Sequence, residues 1–195
     1  MIKNKKGHTK VVLISILIVA LLLLSYFIIK TKQENDLLKT VLIINLKSVK
    51  IGEISQEADT YYQLSNRAYE LNDFKGVEYN CRLARENYHK ASQEYLKLKS
   101  ELKGNNPITI KYKEGLSLLS EISLNLYEAC EHFESASRYY DIYYNTNVSA
   151  FDNSYDMGGK EIDAMNEKIK LHDENIRKYN NLLTEILTEL EMMAE

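Results

Sequence analysis

FKGVEYNCRLARENYHKASQEYLKLKSEL, residues 74–102, decides the fold. Its apolar positions are Phe74, Val77, Cys81, Ala84, Tyr88, Ala91, Tyr95, Leu98 and Leu102. The gaps between them alternate three and four, the a/d repeat of a helix that packs along one narrow seam. A narrow seam on a long helix needs a partner along its whole length, so the stretch predicts a bundle or coiled coil.

Three more seams flank it. One runs Ile162, Met165, Ile169, His172, Ile176, Tyr179, Leu183, Ile186, Leu190, Met193. Another runs Tyr112, Leu116, Leu119, Ile122, Leu126, Ala129, Phe133, Ala136, Tyr140, Tyr143, with one stammer near Ile122. The first in the chain is weaker: Leu37, Val41, Ile44, Ser48, Ile51, then Ala58, Tyr61, Ser65, Ala68, with a shift of phase around Ile54. One proline and seven glycines leave few helix breakers. Asn72-Asp73 offers an N-cap before Phe74, Gly104-Asn105-Asn106-Pro107 is a strong stop, and Asn145 to Gly159 reads as the longest loop. The expectation is an all-α fold with helices at about 33–71, 73–103, 108–145 and 160–193. Short connections make neighbours antiparallel, which gives an up-down-up-down four-helix bundle with long helices.

Upstream lies VVLISILIVALLLLSYFII, residues 11–29, without a charge, glycine or proline. At 1.5 Å rise per residue such a run spans roughly the 30 Å hydrocarbon core of a bilayer. It is longer than a signal-peptide core and lacks a small-x-small cleavage site, so it reads as an uncleaved signal anchor. Lys3, Lys5, Lys6 and Lys10 precede it, whereas Lys30 and Lys32 follow it. The positive-inside rule then keeps residues 1–10 in the cytoplasm and sends residues 30–195 outside it. Residues 30–36 contain no breaker, so the membrane helix should continue into the bundle.

Taking the four leading lysines from the 25 basic residues leaves 21 against 28 acidic ones, a net charge of −7 beyond residue 29. A nucleic-acid partner would want a basic face, so that class is disfavoured. An acidic domain also tends to stand off from an anionic bilayer.

Two local resemblances appear. Lys5-Lys6-Gly7-His8-Thr9-Lys10-Val11-Val12-Leu13 resembles the type IV prepilin signal, a basic leader ending in glycine before a hydrophobic helix. The resemblance implies cleavage after Gly7 and assembly into a pilus or secretion filament. The family's usual glutamate at the fifth mature position falls on Val12, and its usual aromatic first residue is His8. Tyr61-Tyr62-Gln63-Leu64-Ser65-Asn66-Arg67-Ala68-Tyr69, followed by Val77, Cys81 and Ala84, resembles one tetratricopeptide unit over residues 60–84. No second copy follows at the repeat period, so the stretch reads as an ordinary helix hairpin.

Cys81 and Cys130 lie at equal distances from the Asn105-Asn106 turn, so an antiparallel hairpin sets them at one level. Outside the cytoplasm they are a candidate disulfide. Closing that loop of about 50 residues is worth roughly 4 kcal/mol in the chain-entropy model. The other reading is two thiols packed as small hydrophobes. His172 sits on the last seam and reads as a hydrogen-bonded core histidine. Glu128 and His132, four apart beside Cys130, lack a second ligand pair for a metal. Asp152-Asn153-Ser154-Tyr155-Asp156 is a poor calcium loop, with Met157 where glycine is required. Asn147-Val148-Ser149 is a glycosylation sequon in the same expected loop. Tyr139, Tyr140, Tyr143 and Tyr144 crowd one helix end near Tyr155. Tyr139, Tyr144 and Tyr155 are the candidate interaction surface, since exposed tyrosines suit protein contact.

No nucleophile–base pair, phosphate loop or cofactor motif stands out. The chain is therefore expected to be a non-catalytic, cofactor-free, single-pass membrane protein that touches lipid through residues 11–29. It should present its bundle to a protein partner or to another copy of itself. A pilin-like subunit and a ligand-sensing bundle are the alternatives. Deleting residues 11–29 should release the chain from membranes into the supernatant, while the full chain resists alkaline carbonate extraction. A deletion variant that still pellets with membranes overturns the anchor.

Overall fold

The structure, a computed structural model, describes the backbone of residues 5–104, 106–145 and 151–194. It describes the side chains of residues 31–32, 35–104, 106–145 and 153–192. Among the described residues there are four helices and no strand: α1 (Lys5–Glu70), α2 (Phe74–Glu101), α3 (Pro107–Asn145) and α4 (Phe151–Ala194). None of the described residues forms a helix long and apolar enough to cross a membrane. The side chains of the expected span at 11–29 lie outside them, as does the sequon at Asn147. The chain divides into two compact units, Met1–Asn45 and Leu46–Glu195. In the first, Leu38, Leu42 and Ile43 are exposed. The second holds the helical bundle.

The turns follow from their residues. Asn72 adopts a left-handed φ of 56°, which asparagine tolerates better than most side chains. It lets the Asn72 N–H reach Tyr69 O at 3.0 Å and the Asp73 N–H reach Ala68 O at 2.9 Å, the paired bonds of a Schellman ending. Asp73 then caps α2, its Oδ1 accepting from the Gly76 N–H at 2.9 Å. At the next turn Gly104 takes φ 102°, and Asn106 Oδ1 accepts from the Thr109 N–H at 2.8 Å. Pro107 occupies the first helical position, where a missing N–H costs nothing.

The α2 seam is buried at all nine of its expected positions. It faces Ala58 and Ser65 of α1 and Leu126, Ala129, Cys130 and Phe133 of α3, all buried with it. Met165 of α4 joins the same cluster, its Sδ accepting from the Tyr62 hydroxyl at 3.9 Å. Polar ties fix the levels. Ser92 and Ser120 share a hydrogen bond at 2.8 Å, and Lys111 pairs with Glu185 and Glu189 at 2.8 and 3.0 Å.

Four expectations need correction. The phase shift around Ile54 does not exist. Ser55 fills the seam between Ile51 and Ala58, and Tyr62 continues it to Ser65, so the a/d spacing is unbroken. A serine in a seam position simply does not register as apolar. On α3, Leu119 and Ile122 are only half-buried, while Ser120 and Ser123 are buried; serines again occupy core positions.

Helix α4 begins at Phe151 rather than near 160, so the backbone of the supposed calcium loop is helical. Gly158 does not break this helix. A Cβ there would lie 2.8 Å from Tyr140 Cε1, so glycine serves the close passage of α4 across that ring. Further along, Leu182 is buried where the expected seam used Leu183, which is 36% exposed. Gly115 of α3 faces Tyr179 and Leu182, and this contact sets the rotation of α4.

Leu182→Ala should therefore cost about 2–4 kcal/mol in chemical denaturation, and Leu183→Ala under about 1. Equal costs would place α4 in the other rotation.

Candidate functional site

The bundle end formed by the α1–α2 turn, the end of α3 and the start of α4 is built of aromatic rings. Phe74 is fixed there because it opens α2 directly after the Asp73 cap. It is buried, and Tyr69 meets it edge-on with centroids 6.3 Å apart. Tyr69 also contacts Phe133 at 5.4 Å and Tyr140 at 5.9 Å. From the buried rings of Phe74, Phe133 and Tyr140 the cluster extends outward. Tyr144 stacks on Phe74 at 5.7 Å with planes 10° apart, yet is 60% exposed. Tyr155 packs on Tyr140 and Tyr143 at 5.6 and 5.1 Å and is 49% exposed. Tyr143 meets Tyr144 at 4.9 Å. Each such pair adds about 0.5–1.5 kcal/mol beyond area burial.

This arrangement holds wet rings rigid against dry ones. Tyr144 and Tyr155, two of the three residues singled out from sequence, share one patch through Tyr143. Tyr139, one residue out of phase with Tyr140, is half-buried. Burial, with Tyr69 beside it, pushes the Tyr140 phenol up to about 12. It stays protonated and neutral at any physiological pH.

Cys81 and Cys130 are brought together at the bundle centre, as their distances from the turn require. Both are fully buried and free. Cys81 Sγ donates to Ser65 Oγ at 3.3 Å. Hydrogen bonding to Cys81 and burial push the Cys130 thiol well above its ordinary value. A protonated, buried thiol is a poor nucleophile. Beside the pair, burial pushes the Tyr62 phenol up to about 12, reinforced by the two cysteines.

Glu128 and His132 do not converge with Cys130. Across the α3–α4 face Glu128 pairs with Lys168 at 2.6 Å and His132 with Glu161 at 2.7 Å. No group of three potential ligands stands close enough to hold a metal among the described residues. His172 is half-buried, and its Nδ1 lies 3.4 Å from the Ile122 carbonyl, a long hydrogen bond.

One cluster escaped the sequence reading. Arg85 of α2 donates to Glu134 Oε2 at 2.8 Å, to the Tyr127 hydroxyl at 3.0 Å and to Glu131 Oε1 at 3.1 Å. Its guanidinium also lies 4.8 Å over the Tyr127 ring. Burial alone would lower the Arg85 pKa, but the bonds to Tyr127 and Glu134 outweigh it and push it up. Glu134 is 7% exposed and is shared with Arg138, which also pairs with Glu78 at 2.9 Å. The cluster locks α2 to α3. Arg85 Nε is buried without a partner, but both terminal nitrogens and Glu134 are committed to ion pairs within the cluster, so it reads as structural.

No family model, curated protein or solved structure matches the chain.

The raised phenols carry a pH consequence. A tyrosine whose folded pKa lies above its unfolded 10.0 stabilises the fold below pH 10, and that stabilisation is lost as pH climbs to about 12. Ultraviolet phenolate titration should show a late class of tyrosines near pH 12, coincident with loss of helix. Tyr62→Phe should diminish both the late class and the alkaline loss of stability. Ionisation of every tyrosine near pH 10 with the fold intact contradicts this.

Proposed function

We propose that this chain is a single-pass membrane-anchored, extracytoplasmic helical bundle acting as a non-catalytic protein-interaction or structural module. Residues 11–29 supply the anchor and the four lysines before them the orientation. The observation that carries the reading is the aromatic end, where Tyr144 and Tyr155 stay exposed on a rigid, buried ring cluster. Rigid aromatic side chains lose little conformational entropy on binding and present large amphipathic area. That is the composition of a contact patch.

The net charge of −7 beyond the anchor disfavours close contact of that part with an anionic bilayer. On that side of the membrane, thiol–disulfide exchange with a protein disulfide donor would join Cys81 to Cys130 only before the bundle closes over them, since both are fully buried once folded.

A photoreactive phenylalanine analogue placed at Tyr144 or Tyr155 in intact cells should give a discrete cross-linked adduct, either with another protein or with a second copy of the chain. The same analogue at exposed Asn166, on the side of α4, should not. Adducts equal at all three positions, or absent from all three, overturn the aromatic end as the contact.

A further inference from the structure

Between the thiol pair and the α2–α3 turn the bundle is not filled. A cavity of about 300 Å³ lies there, at the lower limit of small-molecule sites. Its origin is visible in the seams. Ser55 holds an a/d position of α1 and Ser123 a buried position of α3, and both lie on the cavity's lining. Small residues stand where Leu or Ile would close the core. Leaving such a volume open forfeits packing contacts that the rest of the bundle makes.

The walls have a definite chemistry. Tyr88, Tyr95 and Tyr179 line the space from α2 and α4. Burial pushes all three phenols up, with Asp59 adding to the effect at Tyr88, so they remain neutral. Leu119, Leu126 and Ile176 supply apolar surface. The only formally charged residue on the lining is Asp59, which is exposed and so marks the mouth. Its Oδ1 accepts from the Tyr88 hydroxyl at 2.7 Å. A carboxylate has acceptor capacity to spare after one such bond. Ser55 Oγ is buried beside Tyr95 with no hydrogen-bond partner of good geometry.

We propose that this cavity binds a compact amphipathic amine, its ammonium on Asp59 at the mouth, its short apolar body between Leu126 and Ile176. A cation is attracted both by the carboxylate and by the tyrosine faces. An anion meets Asp59, and the lining offers it no lysine or arginine, only the His172 imidazole. A purely apolar guest leaves Asp59 and Ser55 unanswered. The volume limits the guest to roughly ten heavy atoms. This site is independent of what the aromatic end contacts.

The test titrates full-length protein in lipid nanodiscs by calorimetry with three probes of one shape: 2-phenylethylamine, 2-phenylethanol and 3-phenylpropionate. Saturable one-site binding of the amine is expected, with the alcohol at least about tenfold weaker and the acid silent. Asp59→Asn keeps an acceptor for Tyr88 but should weaken the amine at least about tenfold. Ser55→Leu fills the space and should abolish binding, while its helical melting transition is retained. Equal or unsaturable uptake of the three probes, no uptake, or an amine affinity unmoved in D59N each overturn the proposal and leave a water-filled cavity.

Discussion

The bundle depends on close approach of its helices through small side chains. Ala58 on α1, Cys81 and Ala84 on α2, and Ala129 and Cys130 on α3 are all fully buried. Ser65 meets Cys81 at the level of Cys130, and Ala58 lies two turns along, next to Asp59 opposite Tyr88, so small side chains recur at successive levels where other bundles interpose leucine. Once that waist is fixed, bulk must go elsewhere along the seams. Tyr88 and Tyr95 take α2 toward one end, while Phe133, Phe74 and Tyr140 gather at the other. Gly158 is a consequence of the same tightness, because α4 passes a ring that α3 cannot withdraw. A larger residue at the waist would spread every helix pair at once, which is why overpacking there is costly.

Much of this was legible. Spacing alone gave the α2 seam and the helix class, and cap chemistry gave the turns at Asp73 and Pro107. Mirror symmetry about the α2–α3 turn placed Cys81 against Cys130. The same mirror also sets Ser92 against Ser120 and Arg85 against Tyr127, so the Arg85 cluster carried a readable signal. It went unread because charged residues flanking a seam usually face solvent. Only when α2 and α3 are docked does Glu134 become a buried partner.

The misreadings share one cause. Residue type is a poor proxy for position here. Ser55 was polar and so seemed to interrupt α1, whereas it occupies the seam and opens a cavity. Gly158-Gly159 looked like a breaker, whereas glycine there answers a packing demand. Leu183 satisfied an alternating count, but Gly115 across the interface selects Leu182. In each case a neighbouring helix decided, and no local pattern contains that information. The cavity was the least legible feature, since it is defined by side chains that are too small on two helices at once.

The polar interior allows one further distinction. Ser65, Ser92, Ser120, Ser123, Ser137 and Glu134 are all buried, a heavy load of polar groups for a bundle core. Ser65, Ser123 and Ser137 bond back to their own helices, and Ser92 and Ser120 bond each other. Glu134 has Arg85 and Arg138. These groups cost little and hold register. Ser55 differs, because its hydroxyl is buried without a well-formed bond and faces open volume. Of two serines on one seam, Ser65 is explained by the helix that carries it and Ser55 is not. Ser55 instead stands beside Tyr95 on the wall of the open volume, where the proposed guest would lie.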